Sequence, residues 1–189
     1  DWHAQSLVDG QVFDIYGMIT YNTKRWDFGP TGNGDITDWS NFQYYVKKFK
    51  GIDMVVGDCG GTWKELQGKW SKLVTLELLC CMILPKKGGN FIMKTQQINF
   101  DTQFMSLVYL ANSIFDKVFI FKSTRNIWSA EIFIIAIGKQ TTKYDDMMYK
   151  IAEGLDHGKT LYPTDPHHSQ FSTDYEDVAR HMITVSNSY

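Results

Sequence analysis

Asp58, Lys94 and Glu131 are two carboxylates and a lysine that each stand where an apolar run meets a turn, residue types that can hold, give or take a proton. Asp58 lies in Gly57-Asp58-Cys59-Gly60-Gly61, directly after the short apolar run 52–56. Lys94 ends the run 90–94, and Glu131 comes just before the strongly apolar run 132–137. A lysine acts as a base only where desolvation or a nearby cation lowers its proton affinity. A neighbouring carboxylate holds and orients it but pushes that affinity the other way. Taken singly, each residue has an ordinary reading. Asp58 would be a turn former, Lys94 an edge lysine guarding a strand, and Glu131 a solvated charge at a strand start. Asp35, after the Gly-rich turn Gly32-Asn33-Gly34, would likewise be a helix cap.

The elements that must position these groups follow from periodicity and punctuation. Residues 12–20 mix Val, Phe, Ile, Tyr and Met and read as a strand running into a loop. Residues 24–38 turn to Gly, Pro, Asn and Asp, a long loop of the length that functional loops often have. Phe42, Tyr45, Val46 and Phe49 recur at helical spacing before the buried strand 52–56. Leu73, Leu76, Leu79, Cys80 and Ile83 form a second helical stripe. Lys86-Lys87-Gly88-Gly89 then supplies the cations and glycines that suit a helix end. A strand at 90–94, a helix at 102–112 and strands at 118–121 and 132–137 complete an alternating pattern. Such a pattern predicts an α/β sheet with ligands at the carboxyl ends of its strands. Beyond Gly138 a helix at 144–153, a connector at 154–170 and a capping-box helix opened by Thr173 and Glu176 read as an extension packed on the domain.

At 189 residues, 43% of them hydrophobic and 15% aromatic, the chain has the size and apolar content of one domain with a real core. Its formal net charge of -2 argues against a broad electrostatic grip on nucleic acid and confines any such contact to a local patch. Cys59, Cys80 and Cys81 suit reduced thiols better than a disulfide framework or a zinc site, which points to an intracellular setting. No apolar stretch reaches the roughly 18 to 20 residues of a membrane span, and no leader of charged then apolar residues opens the chain. The first residues, Asp1-Trp2-His3-Ala4, lack an initiator Met, as an excised domain, a processed product or a partial chain would. His157, His167 and His168 with Asp165 match no zinc spacing, and the prolines beside them indicate a surface loop.

In order, Gly32-Asn33-Gly34-Asp35-Ile36-Thr37, Val55-Val56-Gly57-Asp58-Cys59-Gly60, Gly88-Gly89-Asn90-Phe91-Ile92-Met93-Lys94, Lys122-Ser123-Thr124-Arg125-Asn126 and Ser129-Ala130-Glu131-Ile132-Phe133 resemble the motifs of FtsJ-like RNA 2'-O-methyltransferases. The cap-specific enzymes of eukaryotes and large DNA viruses are the nearest match, and the resemblance runs from residue 2 to about 138. It implies a Rossmann-like α/β methyltransferase sandwich, a mostly parallel sheet with helices on both faces. It divides the chain into a partial methyltransferase domain at 1–138, without the first strand and Gly-rich cofactor loop, and a C-terminal helical extension at 139–189. The catalytic tetrad of that family is Lys-Asp-Lys-Glu. The resemblance places its last three members at Asp58, Lys94 and Glu131, with the first lysine upstream of this chain.

The implied reaction moves a methyl group from S-adenosylmethionine to a ribose 2'-hydroxyl, a poor nucleophile at neutral pH that needs a positioned acceptor for its proton. Lys94 is the candidate base, Asp58 and Glu131 orient it, and the upstream lysine would depress its proton affinity. Gly34, Asp35, Ile36, Met18 and Asp58 are the implied cofactor contacts, with Asp35 at the adenine amino group and 17–20 near the ribose. Lys122, Arg125 and Ser129 are the implied RNA contacts. Trp26, Phe28 and Trp63 are stacking candidates or, on the ordinary reading, packing residues. The implied partners are capped RNA and other capping or transcription domains, with no membrane, in the nucleus or, for a viral protein, the cytoplasm or virion. Three rival readings stand beside this one. They are an inactive RNA-binding or assembly module, an enzyme acting on ribosomal or transfer RNA, and a methyltransferase of the same fold acting on protein or a small molecule.

Overall fold

The computed structural model describes residues 1–7, 14, 16–60, 69–95, 102–123 and 129–158. Helix α1 (Trp39–Phe49) leads into strand β1 (Ile52–Gly57), then α2 (Trp70–Ile83), β2 (Pro85–Thr95), α3 (Thr102–Ile114), β3 (Phe115–Phe121), β4 (Ile132–Lys139) and α4 (Asp145–Asp156). The strands form one sheet in the order β1-β2-β4-β3. β1 and β2 are parallel, and β4 runs antiparallel to both β2 and β3. Three strands therefore point one way and β4 the other, an α/β sheet as the alternating sequence predicts, with the mostly parallel strand directions that the resemblance implies.

Burial alternates along the strands with the period of the pleat. Phe91, Met93, Ile134 and Ala136 are buried with Leu76, Leu79, Leu107, Ile114 and Met148 of the helices in one cluster. Phe91 meets Phe115 edge-on at 5.1 Å. Among the described residues the helices all join this one core. The opposite face of the sheet leaves Met54, Val56, Phe119, Phe121 and Ile137 exposed.

α1 begins at Asp38, whose carboxylate accepts from the Ser40 backbone N–H at 3.0 Å, and it buries Phe42, Tyr45 and Val46 as its spacing predicts. α2 is apolar around its whole circumference and is buried accordingly. α4 is longer than expected and runs through Gly154 to Asp156. It is locked to the sheet by a buried pair, Lys139 Nζ on Asp145 Oδ1 at 2.9 Å, with the Ile83 carbonyl also accepting from Lys139.

Two sequence expectations are corrected. Where residues 12–20 read as a strand, residues 16, 18 and 19 are turn, followed by a 3-10 helix, Thr20–Arg25. The Asp14 carboxylate draws the chain back by accepting from the N–H groups of Ile19 at 3.0 Å and Thr20 at 2.8 Å, and Gly17 takes a φ of 66°. Lys86-Lys87-Gly88-Gly89 does not close α2. That helix stops because Pro85 has no N–H to continue its ladder, and the Leu84 carbonyl instead accepts from Gly51 at 2.8 Å. The four residues lie inside β2, where the pairing jumps from Ile52↔Pro85 to Met54↔Asn90 and the extra chain bulges out. The capping-box helix expected after Thr173 lies outside the described residues.

Candidate active site

The ends of three strands bring the three singled-out side chains together. Asp58 follows the last residue of β1, Lys94 is the penultimate residue of β2, and Glu131 precedes β4. The Lys94 ammonium lies 2.5 Å from Asp58 Oδ1 and 3.5 Å from Glu131 Oε1. Lys94 is the most enclosed of the three, with 23% of its side chain exposed against 60% for Asp58 and 36% for Glu131. The hydrogen bond that Lys94 donates to Asp58 raises the proton affinity of Lys94, partial burial opposes it, and the charges of Asp58 and Glu131 add to the rise. The lysine is thus a held cation here.

Beside this triad a cavity of about 1140 Å³ runs along the free edge of β1. Gly34, Asp35 and Ile36 form part of one wall, residues 52–60 another, and residues 1–7 a third. Gly34 is required by geometry. Its φ is 68°, and a Cβ there would sit 1.8 Å from the Ser6 carbonyl oxygen. Its own carbonyl accepts from the Gln5 side chain. Asp35 Oδ1 accepts from the N–H and hydroxyl of Thr37 at 2.8 and 2.7 Å. It is not the cap of α1, since Asp38 fills that position.

The remaining candidates fall out as follows. Met18 is half exposed and absent from the cavity lining, and its carbonyl accepts from Trp26 Nε1 at 3.0 Å. Trp26 is stacked on Phe28 with ring centroids 6.4 Å apart. Lys122 donates to the Ser129 carbonyl and to that of Glu131, the latter at 3.1 Å, while Ser129 Oγ accepts from the Glu131 N–H at 3.1 Å. Lys122 and Ser129 therefore hold the backbone around Glu131. Arg125 and Trp63 lie outside the described residues.

Three supporting residues escaped the reading from sequence. Asn41, fully buried, donates to Asn33 Oδ1 at 2.8 Å and the Asp35 carbonyl at 2.9 Å, and accepts from the Thr31 hydroxyl at 2.9 Å, knitting the Gly-rich loop to α1. Asp27 accepts from Lys48 at 2.5 Å and from the Tyr44 hydroxyl at 3.0 Å. Burial pushes its carboxyl up, and the bonds from Lys48, Gly29 and Tyr44 outweigh that and bring it below the usual range. Glu77 of α2, 3% exposed, accepts from the Cys59 N–H at 2.6 Å. Its position amid apolar neighbours was the available signal, since it is the only charge between Lys72 and Lys86.

A sequence model of FtsJ-like methyltransferases matches residues 13–139. The chain belongs to the FtsJ-like methyltransferase family. This FtsJ-like methyltransferase is 25% identical to uncharacterized protein L511 of Acanthamoeba polyphaga mimivirus, across 97% of the chain and 25% of that protein. It is 29% identical to the cap-specific mRNA (nucleoside-2'-O-)-methyltransferase 2 of Mus musculus, across 72% of the chain and 20% of that protein. The Drosophila melanogaster protein of the same name is 27% identical across 64% of the chain and 18% of its own length. The chain thus spans a quarter or less of these curated relatives. No helix among the described residues of the FtsJ-like chain is long and apolar enough to cross a membrane.

Proposed function

We propose that this chain is part of an S-adenosylmethionine-dependent RNA 2'-O-methyltransferase that modifies the first transcribed nucleotides of capped messenger RNA. The observation that carries the reading is the Lys94 ammonium held between Asp58 and Glu131, with Asp58 also lining a cavity walled in part by Gly34, Asp35 and Ile36. Membership of the family supports methyl transfer, and the names of the mouse and fly relatives support a capped RNA substrate.

The residues fit the cofactor. One Asp35 oxygen is committed to Thr37, and the other has no hydrogen-bond donor among the described residues, so it is available to an amino group. Gly34, Asp35 and Ile36 would hold the adenosine end, and Asp58 would face the methionine end. When bound, S-adenosylmethionine supplies an electrophilic methyl group on a sulfonium. In this reading Lys94 takes the proton of the attacking hydroxyl, Asp58 and Glu131 orient Lys94, and Lys122, Arg125 and Ser129 form the RNA-facing side. Residues 1–138 would carry the catalytic part and 139–189 an extension, in an intracellular protein with further capping or transcription domains.

A second reading, a non-catalytic RNA-binding or assembly module, is favoured by one observation. Both carboxylates raise the proton affinity of Lys94, the opposite of what a base requires.

The test uses the full native protein with tritiated S-adenosylmethionine and capped RNA whose first nucleotide carries a free 2'-hydroxyl or a preinstalled 2'-O-methyl group. Incorporation that needs the free hydroxyl and is lost in Lys94→Ala is the expected result. Absence of both incorporation and cofactor binding would leave the non-catalytic module.

A further inference from the structure

Resting on the reading of Asp58, Lys94 and Glu131 as the reacting set, we infer that Glu77 is a positioning residue that fixes the turn presenting Asp58 to Lys94. Glu77 sits in α2 among Val74, Leu76, Leu78 and Cys81, all buried. Packing alone gives no reason for a carboxylate there, since burying one is costly unless it is bonded or neutralised. Its bonds go to the site. Oε1 accepts the Cys59 N–H at 2.6 Å. On the other side of Asp58, a Cβ added at Gly57 would lie 2.9 Å from Glu77 Oε1 and 3.0 Å from Cys81 Sγ. Both neighbours of Asp58 in the chain are therefore seated on one buried carboxyl group. Asp58 itself stays exposed and reaches the Lys94 ammonium at 2.5 Å.

The second oxygen, Oε2, is buried and has no partner among the described residues. It is the natural seat of a proton. Burial pushes the Glu77 carboxyl up to about 7 against the bonds from Cys59, with Asp58 raising it further and Lys94 lowering it. The groups that face it are Asp58 and Cys59 at the end of β1, Lys94 on β2, and Cys80 and Cys81 on its own helix. When ionised, Glu77 grips the Cys59 N–H more strongly and adds a negative charge facing Lys94. When protonated, it keeps an acceptor for that N–H and relieves the charge.

The test compares wild type, Glu77→Gln and Glu77→Leu in the full native protein. Methyl transfer to RNA is followed against pH at saturating S-adenosylmethionine, and the Cys59 amide is followed by NMR in ¹⁵N-cysteine-labelled protein. The wild-type Cys59 amide is expected to titrate near neutrality, and Glu77→Gln to abolish that titration. Glu77→Gln should keep kcat within about threefold and move the alkaline limb of the rate profile to lower pH by about half a unit. Glu77→Leu should lower kcat about tenfold or more with little change in KM for RNA, since it removes the acceptor and slackens the turn. Should Glu77→Leu fail to fold, Glu77→Gln and the wild-type amide decide the matter. A wild-type Cys59 amide that is flat from pH 5 to about 9, or a folded Glu77→Leu enzyme with undiminished kcat, overturns the inference. If wild type methylates no RNA, capped or uncapped, the proposed function fails, while the Cys59 amide still reports whether Glu77 holds the turn.

Discussion

Lys94 of β2 stands directly opposite Phe133 of β4 in the antiparallel ladder. Side chains two residues apart along a strand share a face, and this register carries Glu131, two residues before Phe133, to within 3.5 Å of the Lys94 ammonium. Were β4 parallel like its neighbours, its first residues would lie at the far end of the sheet. The reversed strand is what lets a residue that precedes it meet residues that end β1 and β2.

Lys94→Ala is expected to lower methyl transfer by about 10² to 10⁴, the usual worth of a positioned proton acceptor. S-Adenosylmethionine affinity, followed by calorimetry, should change by less than about threefold. Lys94→Arg should be equally inactive, because a guanidinium does not give up its proton in the accessible range. Activity retained in the arginine variant would assign Lys94 a purely cationic role.

Asp58 is the first cause of the raised proton affinity of Lys94, ahead of the opposing burial and the charge of Glu131. A lysine raised in this way is unprotonated only at alkaline pH, so the wild-type rate should climb with pH. Asp58→Asn removes the charge, and the rising limb should move to lower pH even as the maximal rate falls. A limb that stays in place would show that Lys94 is not the titrating group.

Glu77 also links stability to pH. Its folded value of about 7 stands above the ordinary 4.5. The folded state therefore binds the proton more tightly, and the stabilisation is full below about pH 4.5 and lost as pH rises through about 7. The shift corresponds to about 3 kcal/mol at most. Urea midpoints at pH 5 and 8 should differ more for wild type than for Glu77→Gln. Equal differences in the two proteins would contradict the linkage.

The Lys139–Asp145 pair is buried on both sides. Burial lowers the proton affinity of Lys139, and Asp145 partly restores it. Asp145→Ala strands a buried ammonium and should cost about 3 to 5 kcal/mol, whereas the double change Lys139→Met with Asp145→Leu should recover much of it. Guanidinium unfolding of wild type and the two variants measures both.

Gly34→Ala combines a left-handed backbone with a Cβ driven onto the Ser6 carbonyl. The expected outcome is displacement of residues 1–7 from the cavity wall and about tenfold or greater loss of S-adenosylmethionine affinity. Limited proteolysis near the chain start and calorimetry would register it, and unchanged values of both would argue against the cavity as the cofactor site.

What sequence disclosed follows the physics of each segment. The runs that became α1, β1, β2 and β4 carry periodicity and clear stops, and Asp58, Lys94 and Glu131 each sit at such a stop, but only the order of the motifs around them in the resemblance joined them as a set. The segment at 12–20 misled because its apolar content outweighs one Asp and one Gly on a count, while in three dimensions the Asp14 carboxylate and the left-handed Gly17 decide the path. Lys86–Gly89 has the composition of a helix end, and only the pairing of Met54 with Asn90 reveals a bulge. Glu77 shows in the sequence only as a lone charge in an apolar run and Asn41 only as a polar residue early in α1, and neither pattern names the partners, Cys59 for the one and Thr31, Asn33 and Asp35 for the other.

The strand order β1-β2-β4-β3 has a consequence for how the molecule comes into being. β4 is the last of the four strands along the chain yet lies between β2 and β3, and its pairing with β2 brings Glu131 to Lys94. The close approach of Glu131 to Lys94 is therefore a marker of the finished sheet, and any substitution that delays the entry of β4 should lengthen the lag before activity appears on refolding, even where final stability is unchanged.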